Sequence, residues 1–276
     1  MKPDKILMCE PKYFDITYSG NEFMRGNINN LDKIKAVKEW YDLKSVYENL
    51  GFKVSLIPAV KSQVDMVFTA NQSLPLIGRT GEKIVFMSKM KNKERQNEVK
   101  YFEDFYKQNG YKIIHLPDTI NHFESMGDCV VDYERRILFG GYGYRTQSEV
   151  YDFIGEYVDF KIHRINLQNP VLYHLDTCFS IINSHTAVID KTAFTDADIE
   201  MFKTYFEDII YADAEENMKY FVCNCHSPDG KNVIVQKGSK EFKEEILKRG
   251  LNLIEVDTSE FIKSGGSVFC MKMMYY

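Results

Sequence analysis

The sequence predicts an α/β fold of five repeated helix–strand units that close around one axis. Three observations lead there. A helix ending at a glycine and followed by a strand recurs along the chain. The spacing from that helix end to the next polar cluster is nearly constant. No glycine-rich loop of the dinucleotide or phosphate type is present to support an open nucleotide-binding sheet.

The units run in order. Residues 31–50 read as an amphipathic helix with Ile34, Val37, Tyr41 and Val46 among its apolar positions, ending at Gly51 as a C-cap. The strands FKVSLIP (52–58) and DMVFTA (65–70) follow. In the second unit a helix over 94–109 ends at Gly110, then come YKIIHLP (111–117) and FESMGDCVV (123–131). The third has a helix over 150–159, then FKIHRINL (160–167) and YHLDTCFSII (173–182). A fainter fourth starts at Asp198, has a helix ending near Tyr211, and reaches a strand KYFVCNC (219–225). The last has a helix over 240–249, Gly250, LNLIEV (251–256) and SGGSVFCMKM (264–273).

The offsets agree. Gly51 to Asp65, Gly110 to Glu124 and Gly250 to Ser264 each span 14 residues, and Asp159 to His174 spans 15. Gly51 to Asn71 and Gly250 to Cys270 each span 20. Repeated units bury a shared core by packing on their neighbours, and radial closure hides their sheet edges. Closure would also gather residues 65, 124, 174 and 264 around one axis.

Composition narrows the class. The 276 residues suffice for one large domain or two small ones. The formal charge of −5 lacks the basic excess of a nucleic-acid surface. No run approaches a membrane span, and acidic residues and prolines interrupt any secretory core at the N-terminus. Six scattered cysteines read as free thiols in a reducing cytoplasm rather than a disulfide scaffold. Cys223-Asn-Cys225 is too tightly spaced for the usual zinc pair.

The repeat places Asp65, Glu124, His174, Asp176 and Cys270 together. A thiol attacks an electrophilic carbon, an imidazole moves the proton, and a carboxylate orients the imidazole. Further carboxylates suit a cationic substrate, and a guanidinium pairs with them in bidentate fashion. Each residue also has a plainer reading. Cys270 in an apolar strand reads as core, until Gly265-Gly266 admits close backbone approach. His174 and Asp176 fall on one face of a strand by alternation. Glu124 and Asp128 flank a glycine and read as a turn cap or a site, while Asp65 reads as a turn residue. Arg145 follows two glycines and is a loop charge or a fork for a substrate carboxylate. Arg95 lies in a charged helix start.

Six stretches carry a resemblance over nearly the whole chain: MCEPKYFDI (8–16), DMVFTAN (65–71), FESMGD (123–128), GYGYRT (141–146), YHLDTCF (173–179) and KSGGSVFC (263–270). The chain resembles the guanidine-modifying superfamily of arginine deiminases, dimethylarginine dimethylaminohydrolases, amidinotransferases and arginine dihydrolases. That resemblance implies a five-bladed α/β propeller with pseudo-fivefold symmetry, formed by a single catalytic domain over 1–276. It implies Cys270 as nucleophile, His174 as general acid/base and Glu124 as its partner. Asp176 is then the guanidinium holder, and Arg95 and Arg145 receive the substrate carboxylate. Within the superfamily the pattern is most similar to the arginine dihydrolase catalytic domain, through Asn21 in YSGNEFM and Asn71 in DMVFTAN. Asp65, Asp128 and Ser264 complete the expected substrate contacts.

The departures are Glu22 and Phe23 where proline and tryptophan are usual, Ser125 where glycine is usual, and Ser264 and Ser267 near the cysteine. The expectation is hydrolysis of arginine to ornithine, carbon dioxide and ammonia without metal or organic cofactor. A deiminase or methylarginine hydrolase is the alternative. An amidinotransferase, a metal hydrolase using His174, Asp176, Glu124 and Asp128, and a binding protein stand further off. No carboxy-terminal second domain is expected, and a homo-oligomer is compatible with the sequence.

Overall fold

The computed structural model describes residues 2–276. Asp32 opens the first long helix, Lys33–Asn49, by accepting the Lys35 N–H. Thr195 and Asp198 form a capping box on Asp196–Tyr205. Gly51, Gly110 and Gly250 all have positive φ just beyond helix ends, as their C-cap reading requires.

The strands form five small sheets, four of three strands and one of two. In the first, Lys5–Cys9 runs parallel to Lys53–Ile57 and antiparallel to Met273–Tyr275, so the two ends of the chain share a sheet. The others repeat that plan. Lys83–Met87 lies between Ser73–Ile77 and Lys112–Ile114, and Ile137–Tyr142 between Cys129–Asp132 and Lys161–Asn166. Thr186–Ile189 lies between Phe179–Ile181 and Asp208–Tyr211. Asn232–Gln236 pairs with Asn252–Val256 and keeps only a bridge, His226 to Ile234, on its other side. In each sheet a helix links the central strand to its parallel neighbour. The chain is therefore mixed α/β with a recurring strand, strand, helix, strand unit. The central strands are elements that the sequence reading leaves unassigned.

Several expectations are corrected. The polar clusters expected to lie in strands are turns, and their strands begin a few residues later, at Ser73, Cys129, Phe179 and Met273. Phe68, Gly127 and Thr177 donate backbone bonds to Asp65, Glu124 and His174, three residues back, which curls these segments. His174 and Asp176 therefore do not share a strand face, because 175–177 is a 3-10 turn. KYFVCNC is no strand. Its first residues end the helix Ala214–Tyr220, Phe221 is left-handed, and Val222–Asn224 is a 3-10 turn. The helix before it ends at Tyr205, and Asp208–Tyr211 is a strand. The helix expected over 94–109 is two, Lys93–Gln96 and Val99–Gln108. Short apolar runs carry no period long enough to separate strand from turn.

The first helix buries a different face from the one expected. Ala36, Trp40, Leu43 and Tyr47 lie on one stripe and are buried, whereas Ile34 is 86% exposed and Val37 and Tyr41 are also exposed. The buried stripe packs on Ile6, Met8 and Met274 of the first sheet in one cluster with Phe261 and Cys270. Trp40→Ala is expected to lower unfolding stability by about 3–5 kcal/mol in urea titration. Ile34→Ala is expected to stay within about 0.5 kcal/mol of the parent.

Candidate active site

The turns that precede the strands meet at one narrow cavity. Asp65, Asn71, Arg95, Arg145, His174 and Cys270 line it, with Asn21, Tyr173 and Ser264 at its wall. Close approach is built in at two glycines. A Cβ on Gly127 would lie 2.6 Å from Asn71 Nδ2 and 2.9 Å from His174 Nδ1. Gly265 has φ +84°, and a Cβ there would meet the Tyr173 hydroxyl at 2.7 Å.

Cys270 is held by a residue that the sequence reading missed. Asn224 Oδ1 accepts backbone N–H groups from Ser267, Phe269 and Cys270. Its Nδ2 donates to the Asp176 carbonyl and to Cys270 Sγ at 3.3 Å. One carboxamide thus shapes the cysteine turn and fixes it to the turn carrying Asp176. The fourth unit held the signal, because Asn224 closes there the 3-10 turn Val222–Asn224, which matches the turns that follow Glu124 and His174.

The Cys270 thiol donates to Asp176 Oδ2 at 3.1 Å. Burial and then the Asp176 charge push the thiol well above its ordinary range. Burial also lifts Asp176 to about 7, against the hydrogen bond from Cys270 and the charge of Lys272. Asp176 Oδ1 has no hydrogen-bond partner among the described residues, so a buried acceptor stands beside the thiol.

His174 Nε2 bonds Glu124 Oε2 at 2.8 Å. Burial alone would raise Glu124, but Arg145 and His174 outweigh it and hold the carboxyl well below the usual range. With Nε2 engaged by a carboxylate, Nδ1 is the ring nitrogen left for proton transfer. Arg145 donates from Nη1 to Glu124 and from Nη2 to the Gly20 carbonyl at 2.7 Å, and its guanidinium lies 4.6 Å from the Tyr173 ring centre.

Asp65 is 1% exposed and takes the Tyr18 hydroxyl at 2.6 Å, with Ser264 Oγ at 3.5 Å. Burial raises its pKa, opposed by Arg95 and the Tyr18 bond. Arg95 is bound by Glu98 and donates to Asn71 Oδ1 at 3.0 Å and to the Asp65 carbonyl. The Arg95 bond fixes which way the Asn71 amide points, leaving Nδ2 as a buried donor without a partner. Asn21 ties its own turn to the Ser264 carbonyl and the Tyr173 hydroxyl.

Asp128 is not brought into the cavity. Its Oδ1 accepts the Leu175 N–H at 3.1 Å and its carbonyl the Gly141 N–H, so it braces the His174 turn from behind. Of the departures, Glu22 pairs with Arg25 and Phe23 packs on Phe221. Ser125 has φ +47°, the conformation glycine adopts most freely, and its hydroxyl bonds that of Ser88. No group of three His, Cys, Asp or Glu among the described residues is arranged to hold a metal ion.

A family model described as N,N dimethylarginine dimethylhydrolase, eukaryotic, matches residues 10–275. The bifunctional arginine dihydrolase/ornithine cyclodeaminase AgrE of Nostoc is 32% identical over 98% of this chain. That match takes in 37% of AgrE, so the chain spans little over a third of that relative's length. An N(G),N(G)-dimethylarginine dimethylaminohydrolase of Mycobacterium tuberculosis is 30% identical over 96% of the chain and 84% of its own. The crystal structure of the N-terminal domain of ArgZ, a cyanobacterial arginine dihydrolase, bound to substrate, superposes with a TM-score of 0.90. It has 30% identity and covers 98% of this chain and 97% of that domain.

Two measurements test this geometry. Asn224→Ala leaves three backbone N–H groups and the thiol without their partner, and is expected to lower kcat by about 100-fold or more. Steady-state kinetics on folded protein reads it. Burial lifts the Asp128 carboxyl to about 6. The native state therefore keeps that proton above the unfolded value of about 3.9, so stability is full below that value and falls as pH rises through about 6. Asp128→Asn is expected to match the parent near about pH 4 and exceed it near about pH 8 by on the order of 1 kcal/mol in urea unfolding.

Proposed function

We infer the reaction from one premise: the chain belongs to the N,N dimethylarginine dimethylhydrolase family, whose model it matches over residues 10–275. It is a cysteine-dependent hydrolase of the guanidino group of free arginine. Cys270 adds to the guanidinium carbon, His174 protonates the departing ammonia, and a thiouronium adduct remains on sulfur. His174, held by Glu124, then takes a proton from water, which attacks the adduct and releases a ureido product. A second round on that product expels another ammonia, and the carbamate formed loses carbon dioxide to leave ornithine. Arginine and two waters thus give ornithine, carbon dioxide and two ammonia molecules.

The orientation of Asn71 carries the choice of two rounds. Asn71 lines the cavity and Arg95 occupies its Oδ1, so the amide is left with a buried donor, Nδ2, that has no partner among the described residues. A donor suits the oxygen of a ureido group and matches nothing on a guanidinium, whose nitrogens only donate. The likeness to the dihydrolase domains of AgrE and ArgZ supports the same reading. The single-round alternative, giving citrulline from arginine or a methylated arginine, is favoured by the likeness to the Mycobacterium enzyme.

The guanidinium sits between Asp176 Oδ1 and Asp65, and its charge offsets the burial of the thiolate. Arg95 and Arg145 are the cations at the cavity for the substrate carboxylate, with Asn21 and Ser264 shaping its mouth. No organic cofactor enters this chemistry. The five sheets of one plan, each with a turn at the site, support radial closure into a five-bladed propeller, with residues 1–276 as one catalytic domain. Six free cysteines suit a reducing cytoplasm. A homo-oligomer fits the family's small-molecule role equally well.

Mass spectrometry of products from arginine is expected to show ornithine without accumulating citrulline, and nothing with Cys270→Ala. Asn71→Ala is expected to keep the first round within about 10-fold and to release citrulline. Citrulline alone from the parent would establish the single-round reading instead. Turnover by Cys270→Ala would sink the covalent route.

A further inference from the structure

The turn that carries Cys270 also carries Lys272, which is 1% exposed. Cys270 lines the cavity described above, while Phe269 and Lys272 line a second, larger one with Met126, Tyr133 and Ser227. Lys272 Nζ lies 3.2 Å from the centre of the Phe269 ring. It makes no ion pair and no side-chain hydrogen bond among the described residues, and the acids whose charge reaches it are Asp176 and Cys270. Burial pulls its ammonium down to about 7.

The other buried cations of the site are committed. Arg95 is bound by Glu98, and Arg145 by Glu124. A thiolate at Cys270 would stand beside the Asp176 carboxylate, 3.1 Å from the sulfur, and among the described residues only Lys272 is an uncommitted cation near that pair. We propose that Lys272 is a positioning residue whose buried ammonium, reaching in from the second cavity, keeps Asp176 ionised and favours the Cys270 thiolate. The inference rests on Cys270 being the nucleophile.

Ionisation of the thiol and protonation of the lysine reinforce each other, because each charge lowers the penalty of the other in a desolvated site. Other charged groups around Lys272 do not replace it. His226, on the same cavity, bonds the Tyr47 hydroxyl, and burial followed by the charge of Lys272 holds it neutral. Asp132 is bound by Arg135, and Asp229 by the backbone of Lys231 and Asn232. Lys2, Glu134 and Lys231 stand at the rim, where water screens them.

The test needs no turnover. Iodoacetamide labelling of Cys270 is followed by peptide mass spectrometry across about pH 5 to 10, with Cys270→Ala as the control. In Lys272→Met the midpoint of labelling is expected to move up by about one pH unit or more, and Lys272→Arg is expected to hold it near the parent value. If the methionine variant fails to fold, Lys272→Gln carries the same expectation. Overlapping profiles for the parent and a folded neutral variant would overturn the proposal. So would an equal upward shift in Lys272→Arg, which would assign the effect to packing. Labelling that persists in Cys270→Ala would instead count against Cys270 as the reactive thiol, a separate failure.

Discussion

The pairing of Met273–Tyr275 with Lys5–Cys9 is the constraint on which the site depends. Its register, Lys5 to Tyr275 and Leu7 to Met273, fixes the end of the chain against its beginning. Cys270 stands three residues before the first paired position, so the proposed nucleophile is placed by a sheet rather than by a free tail. The neighbouring turn is tied to the same strand and the same cysteine. Thr69 Oγ1 donates to the Leu7 carbonyl, and the Ala70 N–H donates to the Cys270 carbonyl. Asn71 follows directly. Asn224 completes the frame from the fourth unit with five polar contacts to the two turns that hold sulfur and carboxylate. Rigid elements and saturated backbone bonds are what hold a reacting group to useful tolerance.

Electrostatics divides the buried charges into two sets. Glu124 belongs to a closed set, with Arg145 and His174 satisfying it, and its carboxyl stays ionised. Burial lifts the carboxyls of Asp176 and Asp65, and of the two only Asp176 is open, with Oδ1 unpartnered among the described residues. A buried carboxylate short of partners lowers the stability of the empty fold. On the proposed function a planar cation entering beside Asp176 would reverse that deficit, and part of the interaction lost in folding would reappear as affinity for the substrate.

Much of this arrangement was legible in the residues. The cap-to-cluster spacing located Asp65, Glu124, His174 and Cys270, and helix-ending glycines marked the repeat. What failed was local. DMVFTA and YHLDTCF look like strands because Val, Phe and Thr favour strands. Yet three-residue backbone bonds curl both segments, and no periodicity in six residues reports that. Trp40 and Tyr47 define the buried stripe of the first helix, but Ile34, Val37 and Tyr41 are apolar enough to suggest the wrong one. Asn224 was hidden for a different reason. An asparagine between two cysteines draws attention to the thiols, while its function is to pair with backbone groups far away in sequence.

The two rounds of hydrolysis proposed above would impose opposite demands on one cavity. The first substrate is a cation whose nitrogens all donate, and the second is neutral with a carbonyl oxygen that accepts. An aspartate at position 71 would serve the first and repel the oxygen of the second. An asparagine free to turn would serve either, weakly, because its amide would be ordered only on binding. Asn71 is not free, since Arg95 holds its oxygen and Glu98 holds Arg95. The chain Glu98–Arg95–Asn71 therefore turns a buried ion pair into a fixed hydrogen-bond donor on a residue that lines the cavity. Asp176 supplies the acceptor on the thiol side, so the two demands fall on two residues. On the proposed function neither would need a new rotamer between rounds, and the ureido group would be held where the guanidinium was.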